Sequence, residues 1–168
     1  MAIHPILRYP HPLLKKICHE VTGIDREIHT LMQDLLDTMR DGPGSVGVAA
    51  PQIGVTLRAC VVDVSNSRNG RENNHGLLRM INPRIIARSG SAVMREGCMS
   101  VPDYTGDVER STELRVSFLE PEGELREITA SGFEAVALQH EMDHLDGILF
   151  LDRIVSVKTG LFRRKTYS

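Results

Sequence analysis

At 168 residues, with 41% hydrophobic and 25% charged content, the chain has the make-up of one ordinary globular domain spanning 1–168. A formal net charge of −2 argues against a nucleic-acid binder that works by broad phosphate neutralisation, and no apolar run approaches membrane-spanning length. The start lacks the basic-then-apolar layout of a signal peptide, and three cysteines, an odd number, suit a reducing compartment; a cytoplasmic protein is expected.

Along the chain, Ile24, Ile28, Leu31, Met32, Leu35 and Met39 recur at helical spacing and stop before Gly42-Pro43-Gly44. This predicts a helix whose apolar stripe packs on a core. Segment 45–54, rich in Gly and Ala, reads as a tight turn entering a strand, with Gln52 offering an amide donor. Apolar runs predict strands at 57–64, 78–87 and 114–119, and the turn 121–124 leads to another at 125–130. Cys60, within the first run, reads as a small buried residue, and Cys18 has no partner suggested by sequence. The polar stretch 66–75 predicts an exposed loop whose charges and His75 need no function. A helix, a middle region of strands and a late helix make α+β the fold class.

The late helix carries the chemistry. Gln139-His140-Glu141-Met142-Asp143-His144 holds a His-Glu-x-x-His pattern. Histidines four apart lie about one turn apart on one helix face, so both can reach one metal ion. A glutamate beside the first can reach a water there without being a ligand. Ser131 and Glu134 have the spacing of a capping box, and Gly147 sits where the helix would stop. At 100° per residue Phe133, Val136, Ala137, His140 and His144 share one face, while Leu138, Met142 and Leu145 lie opposite. A helix apolar on both sides is a buried one. Buried histidines are often satisfied core residues, but a buried Glu141 is costly unless something uses its charge.

A hydrolytic site needs a third protein ligand. The 24 residues after His144 contain no His, Glu or Cys, only Asp146 and Asp152, so the ligand is upstream or one of those aspartates. In Glu96-Gly97-Cys98-Met99-Ser100, Cys98 is the leading candidate, since thiolate suits a borderline-soft divalent ion; its alternative is a small buried apolar residue.

Segments 45–54, 96–100 and 139–144, with Ile6-Leu7-Arg8-Tyr9-Pro10 near the start, resemble the motifs of peptide deformylases over nearly the whole chain. The resemblance implies that Cys98, His140 and His144 hold one divalent metal ion and that Glu141 is the acid/base residue. It implies that Gln52 and the backbone N–H of Met99 stabilise an oxyanion, and that the substrate chain pairs near Val46, Gly47 and Gly97. Phe133, Val136 and Ala137, on the face that carries both histidines, would wall the methionine pocket. The implied fold is antiparallel sheets packed around a central metal-binding helix. The implied reaction removes formyl from the N-terminal formyl-methionine of new polypeptides, a co-translational step releasing formate. Ligand types permit zinc, iron, cobalt or nickel; the resemblance points to Fe2+, with cobalt or nickel as working substitutes and zinc often less active. Ser45 stands where the family usually has glycine, and a side chain restricts the backbone there. Met99 replaces leucine, a volume-conserving exchange.

Two rivals share the pattern. The absence of a downstream ligand opposes a zincin-type metallo-endopeptidase, and an intact Glu141 and Gln52 oppose a non-catalytic metal-binding domain. The basic stretch 161–165 could touch ribosomal RNA where nascent formylmethionyl chains emerge, but it is short and reads as a solvated terminus. No membrane or sequence-specific nucleic-acid partner is expected.

Overall fold

The Asp25 carboxylate accepts a hydrogen bond from the Ile28 N–H at 3.0 Å and so opens helix α1, Arg26–Asp41, in the computed structural model, which describes residues 2–164. The predicted stripe is buried from Ile28 to Met39, with Ile24 just before the helix. Pro43 disfavours helical backbone at the residue before it, and Gly42 is extended, with φ −78° and ψ 122°.

Among the described residues the strands are β1 Gly47–Ala49, β2 Ala59–Val62, β3 Leu78–Ser89, β4 Ala92–Cys98, β5 Val101–Arg110, β6 Glu113–Leu119, β7 Leu125–Ser131 and β8 Leu161–Arg163. Helix α2, Gly132–Leu145, lies between β7 and β8 in sequence. One sheet has the order β1-β2-β3-β6-β7 and the other β4-β5-β8, and every pairing is antiparallel. The α+β class is therefore met.

Strand β2 is buried at all four positions because each of its faces meets a helix. Cys60 and Val62 join Ala135, Leu138, Met142 and Leu145 of α2 in one core cluster. Ala59 and Val61 join Leu31, Leu35 and Met39 of α1 in another. A third cluster, with Leu14, Val101, Val108, Leu149 and Phe150, backs Cys98 beside the smaller sheet. Every residue of α2 from Glu134 to Leu145 is buried, as the two-sided apolar pattern predicts. The helix stops as expected: Gly147, at φ 72°, donates its N–H to the His144 carbonyl.

Segment 45–54 runs the other way from expectation. The strand β1 comes first and leads into a 3-10 turn, Ala50–Ile53, closed by Gly54 at φ 88°. The predicted strands at 57–64, 78–87, 114–119 and 125–130 all exist, while β4, β5 and β8 were not anticipated. Strand β8 corrects the reading of a solvated tail, since Leu161, Phe162 and Arg163 pair with Gly106, Thr105 and Tyr104; Lys165 lies outside the described residues.

The capping box at Ser131 is not formed, for the Ser131 side chain makes no cap hydrogen bond. Glu134 faces the loop between β2 and β3 instead. Its carboxylate accepts from the His75 backbone N–H at 2.7 Å and meets His75 Nδ1 at 2.5 Å. Asn73 Nδ2 adds a bond to Ser131 Oγ at 2.8 Å. His75 is thus the clasp between the loop and the start of α2, a structural part. Glu134→Ala removes two bonds at a buried carboxylate and is expected to cost about 1–3 kcal/mol of stability. Amide exchange should quicken across 66–76 and stay slow in β3. Unchanged exchange in that loop would show that the clasp does not order it.

Candidate metal centre

Strand β4 turns Glu96 and Cys98 inward and Arg95 and Gly97 outward, by the alternation of a pleated strand. One turn of α2 separates His140 from His144. One side-chain donor atom from each of Cys98, His140 and His144, of the kind that can hold a metal ion, lies within 4.8 Å of the other two, all three residues buried. Cys98 Sγ stands 3.4 Å from His144 Nε2. Two ligands about 2.0–2.3 Å from one ion subtend close to that distance at a tetrahedral angle. Glu141 Oε1 and His144 Nδ1 are buried without a hydrogen-bond partner among the described residues. The donor set and the unpartnered carboxylate oxygen beside it fit a divalent ion with a water within reach of Glu141.

The electrostatics agree with such a donor set. Burial alone would raise the Cys98 thiol, but His144 and His140 outweigh it and hold the group well below the ordinary thiol value. Burial likewise opposes charge on His140, which Cys98, Glu96 and Glu141 overcome. Burial raises the Glu141 carboxyl despite both histidines. Cys60 and Cys18 behave as inert core thiols. Burial pushes Cys18 up to about 11 and Cys60 further still.

His140 is oriented from behind. Its Nδ1 meets Glu96 Oε1 at 2.9 Å, which turns Nε2 toward the other donors. Arg110, on β5, grips Glu96 through Nε and Nη2 at 2.8 and 2.9 Å. The same guanidinium reaches Asp143 Oδ2 through Nη1 at 2.6 Å, and Arg153 donates to both oxygens of Asp143, sharing Oδ2 with Arg110. Burial would raise Glu96, yet its bonds to Arg110 and His140 lower it to about 2. Phe150 stacks on His140 with ring centroids 6.3 Å apart.

Gln52 is fixed at both ends of its amide. Its Oε1 accepts from the Ala49 N–H at 3.0 Å, so Nε2 must face Ser100 Oγ at 3.1 Å and Cys98 Sγ at 3.5 Å. Gly47 has no room for a side chain, since a Cβ there would lie 2.7 Å from Glu141 Oε2. Ser45 has no such constraint. It is not among the residues at positive φ, and its hydroxyl reaches the Gly47 carbonyl at 3.4 Å, so the local backbone does not demand glycine.

These groups open on a cleft of about 390 Å³. Cys98, His140, Glu141 and Gln52 lie on its lining, and so do Val46, Gly47, Gly97 and Met99. Phe133, Val136 and Ala137 also line it. Of the residues predicted from sequence for the site, His144 alone is off the cleft lining, being only 1% exposed. Sequence reasoning missed Arg110, Asp143 and Ser100. Glu96 was visible beside Cys98 but had no evident partner, because Arg110 is distant in sequence and lies in an unrecognised strand.

A buried Cys-His-His donor set, a carboxylate beside it and a cleft leading to both define the type of site that metal-dependent hydrolases use. A sequence model of the polypeptide deformylase family matches residues 3–160. The chain is 41% identical over 161 residues to the peptide deformylase of Wolinella succinogenes, covering 96% of this chain and 94% of that one. It is similar to the crystal structure of the Thermotoga maritima peptide deformylase, at 33% identity and a TM-score of 0.84 over 93% of this chain and all of the other. It is also similar to a Met-Ala-Ser-bound class I type b peptide deformylase from Acinetobacter baumannii, at 34% identity and a TM-score of 0.83, covering 91% and 99% of the two chains. The chain belongs to the peptide deformylase family.

Chelation should expose one reactive thiol. Alkylation of the metal-free native protein is expected to label Cys98 stoichiometrically and to spare Cys18 and Cys60, whose thiols are buried and protonated. Restoring the ion should block labelling, and Cys98→Ala should lose both the label and stoichiometric metal. Full metal retention in that variant would remove Cys98 from the ligand set. Gly47→Ala tests the close approach to Glu141. Its Cβ must displace the carboxylate, so turnover should fall by tenfold or more, roughly what misplacing a proton-transfer group costs, while metal content holds. A crystal structure of the variant with Glu141 unmoved would contradict the assignment of Gly47.

Proposed function

We infer that this cleft removes the formyl group from the N-terminal formyl-methionine of newly made polypeptides and releases formate. The observation that carries the reading is the convergence of three metal-ligating side chains and a partnerless buried carboxylate oxygen on one cleft. Family membership over 3–160 supports treating 1–168 as one catalytic domain. No helix among the described residues is long and apolar enough to cross a membrane, and the reaction's setting is the cytoplasm, where nascent chains are made.

Cys98, His140 and His144 would hold the ion. One thiolate and two imidazoles accept several divalent metals, and the family reading favours ferrous iron. Such an ion supplies Lewis acidity, lowering the pKa of water toward ~7 and polarising a carbonyl. Glu141 takes a proton from the attacking water and returns it to the amine as the C–N bond breaks, leaving formate and a free amino terminus. Burial raises its carboxyl above the ordinary value, which makes it a stronger base than an exposed glutamate. Gln52 Nε2, unable to flip while Ala49 holds Oε1, is a preorganised donor to the developing oxyanion. The backbone N–H of Met99 is the second donor in this reading. Phe133, Val136 and Ala137 present an apolar wall to the methionine side chain in this reading, and Val46, Gly47 and Gly97 flank the path of the peptide backbone. The Met-Ala-Ser peptide held by the A. baumannii relative is the product-like ligand this reading calls for.

The ferrous protein is expected to release formate from a formyl-Met-Ala-Ser peptide and to leave an unblocked peptide uncut. Glu141→Ala should keep the metal and lose about 10²–10⁴-fold in kcat, the usual contribution of a proton-transfer group. Internal cleavage without formate would turn the reading to an endopeptidase. Loss of metal in Glu141→Ala would make Glu141 a ligand or a structural residue.

A further inference from the structure

The mouth of the cleft carries charge of one sign. Its acidic lining residues, Glu96 and Glu141, are both buried, and Glu96 is gripped by Arg110. The basic lining residues, Arg95 and Arg164, are both exposed. The cationic rim is therefore a local feature, since the whole chain has a formal net charge of −2.

The two arginines are not equivalent. Arg95 is engaged on both sides: its guanidinium carbon lies 3.5 Å from the Phe162 ring centroid, and Nε is 3.6 Å from Asp107 Oδ1. Arg164 has a fixed base and a free end. It follows β8 directly, and its N–H donates to the Asp103 carbonyl at 2.7 Å. Its side chain lies across Gly97, where a Cβ would overlap the guanidinium. Among the described residues it has no acidic partner. Gly97 sits next to Cys98 on the outward face of β4, so a peptide leaving the metal centre along that edge runs beneath an unneutralised cation.

We propose that Arg164 is a specificity-determining residue that reads the charge of the first two residues after the formyl-methionine, favouring Asp or Glu there over Lys or Arg. This rests on the deformylase reading of the cleft. The guanidinium supplies planar donors to a carboxylate at no cost of breaking an existing ion pair, and it repels a cation. An exposed pair of this kind is worth a few-fold and weakens with salt.

The experiment compares C-terminally amidated formyl-Met tripeptides carrying Glu or Lys at the second or the third position. With the ferrous enzyme at low salt, kcat/KM should favour Glu by about three- to fivefold at one position or both, mostly through KM. The ratio should shrink at high ionic strength, fall to about one in Arg164→Gln and keep its direction in Arg164→Lys. Calorimetry with the deformylated product peptides should show the same order of binding. A wild-type ratio of one at both positions would overturn the proposal, and so would a preference that survives Arg164→Gln, or one that disappears only in Arg95→Gln. Absence of formate from every peptide would overturn the deformylase reading instead, and the product-binding ratio would still decide the role of Arg164.

Discussion

The Arg110 guanidinium is the interaction on which the site's geometry depends. It lies on the smaller sheet, 4% exposed, and holds one carboxylate from β4 and one from α2. A buried cation between two buried anions is not a strong source of net stability, because desolvation offsets much of the attraction. Its value here is positional. Glu96 can orient His140 only while Arg110 holds it ionised, and Asp143 fixes the outer side of the same helix turn. Removing Arg110 would leave Glu96 only His140 and Asp143 only Arg153, stranding negative charge in the interior at a typical cost of about 3–5 kcal/mol. The charges therefore lock the register between sheet and helix that brings Cys98 to the two histidines.

Backbone supplies the other half of the positioning. The Leu7 N–H bonds to the Gln52 carbonyl at 2.8 Å and the Tyr9 N–H to the Ser100 carbonyl at 2.7 Å. The N-terminal segment thus straps together the two stretches that flank the cleft. Gln52 Nε2 to Ser100 Oγ repeats the link through side chains. On the opposite wall Gly47 lets the strand edge approach Glu141 more closely than any side chain would permit.

Much of this was legible before the fold was known, and the remainder was hidden for identifiable reasons. The paired histidines and Glu141 stand out because helical spacing turns four residues of sequence into one turn of space. The apolar runs that became β2, β3, β6 and β7 stand out because their inward positions are apolar. Strands β4 and β5 do not, since Glu96, Gly106 and Arg110 share the inward positions there with Cys98, Val101 and Val108. Charged and small residues at inward positions blur the hydrophobic alternation there, and the site lies beside them. Glu134 misled in another way: the spacing from Ser131 matches a capping box, but a tertiary partner, His75, outcompeted the local one.

The ligand set also has a history within each molecule. Cys98 and His144 are 46 residues apart, and α2 is synthesised well after β4. Until that helix docks, the sulfur has no imidazole beside it and is an ordinary thiol on an incomplete chain. Docking of α2 supplies the buried surface, both imidazoles and shelter from oxidation in one event. A polypeptide stalled before residue 140 therefore exposes a sulfur that the folded chain buries.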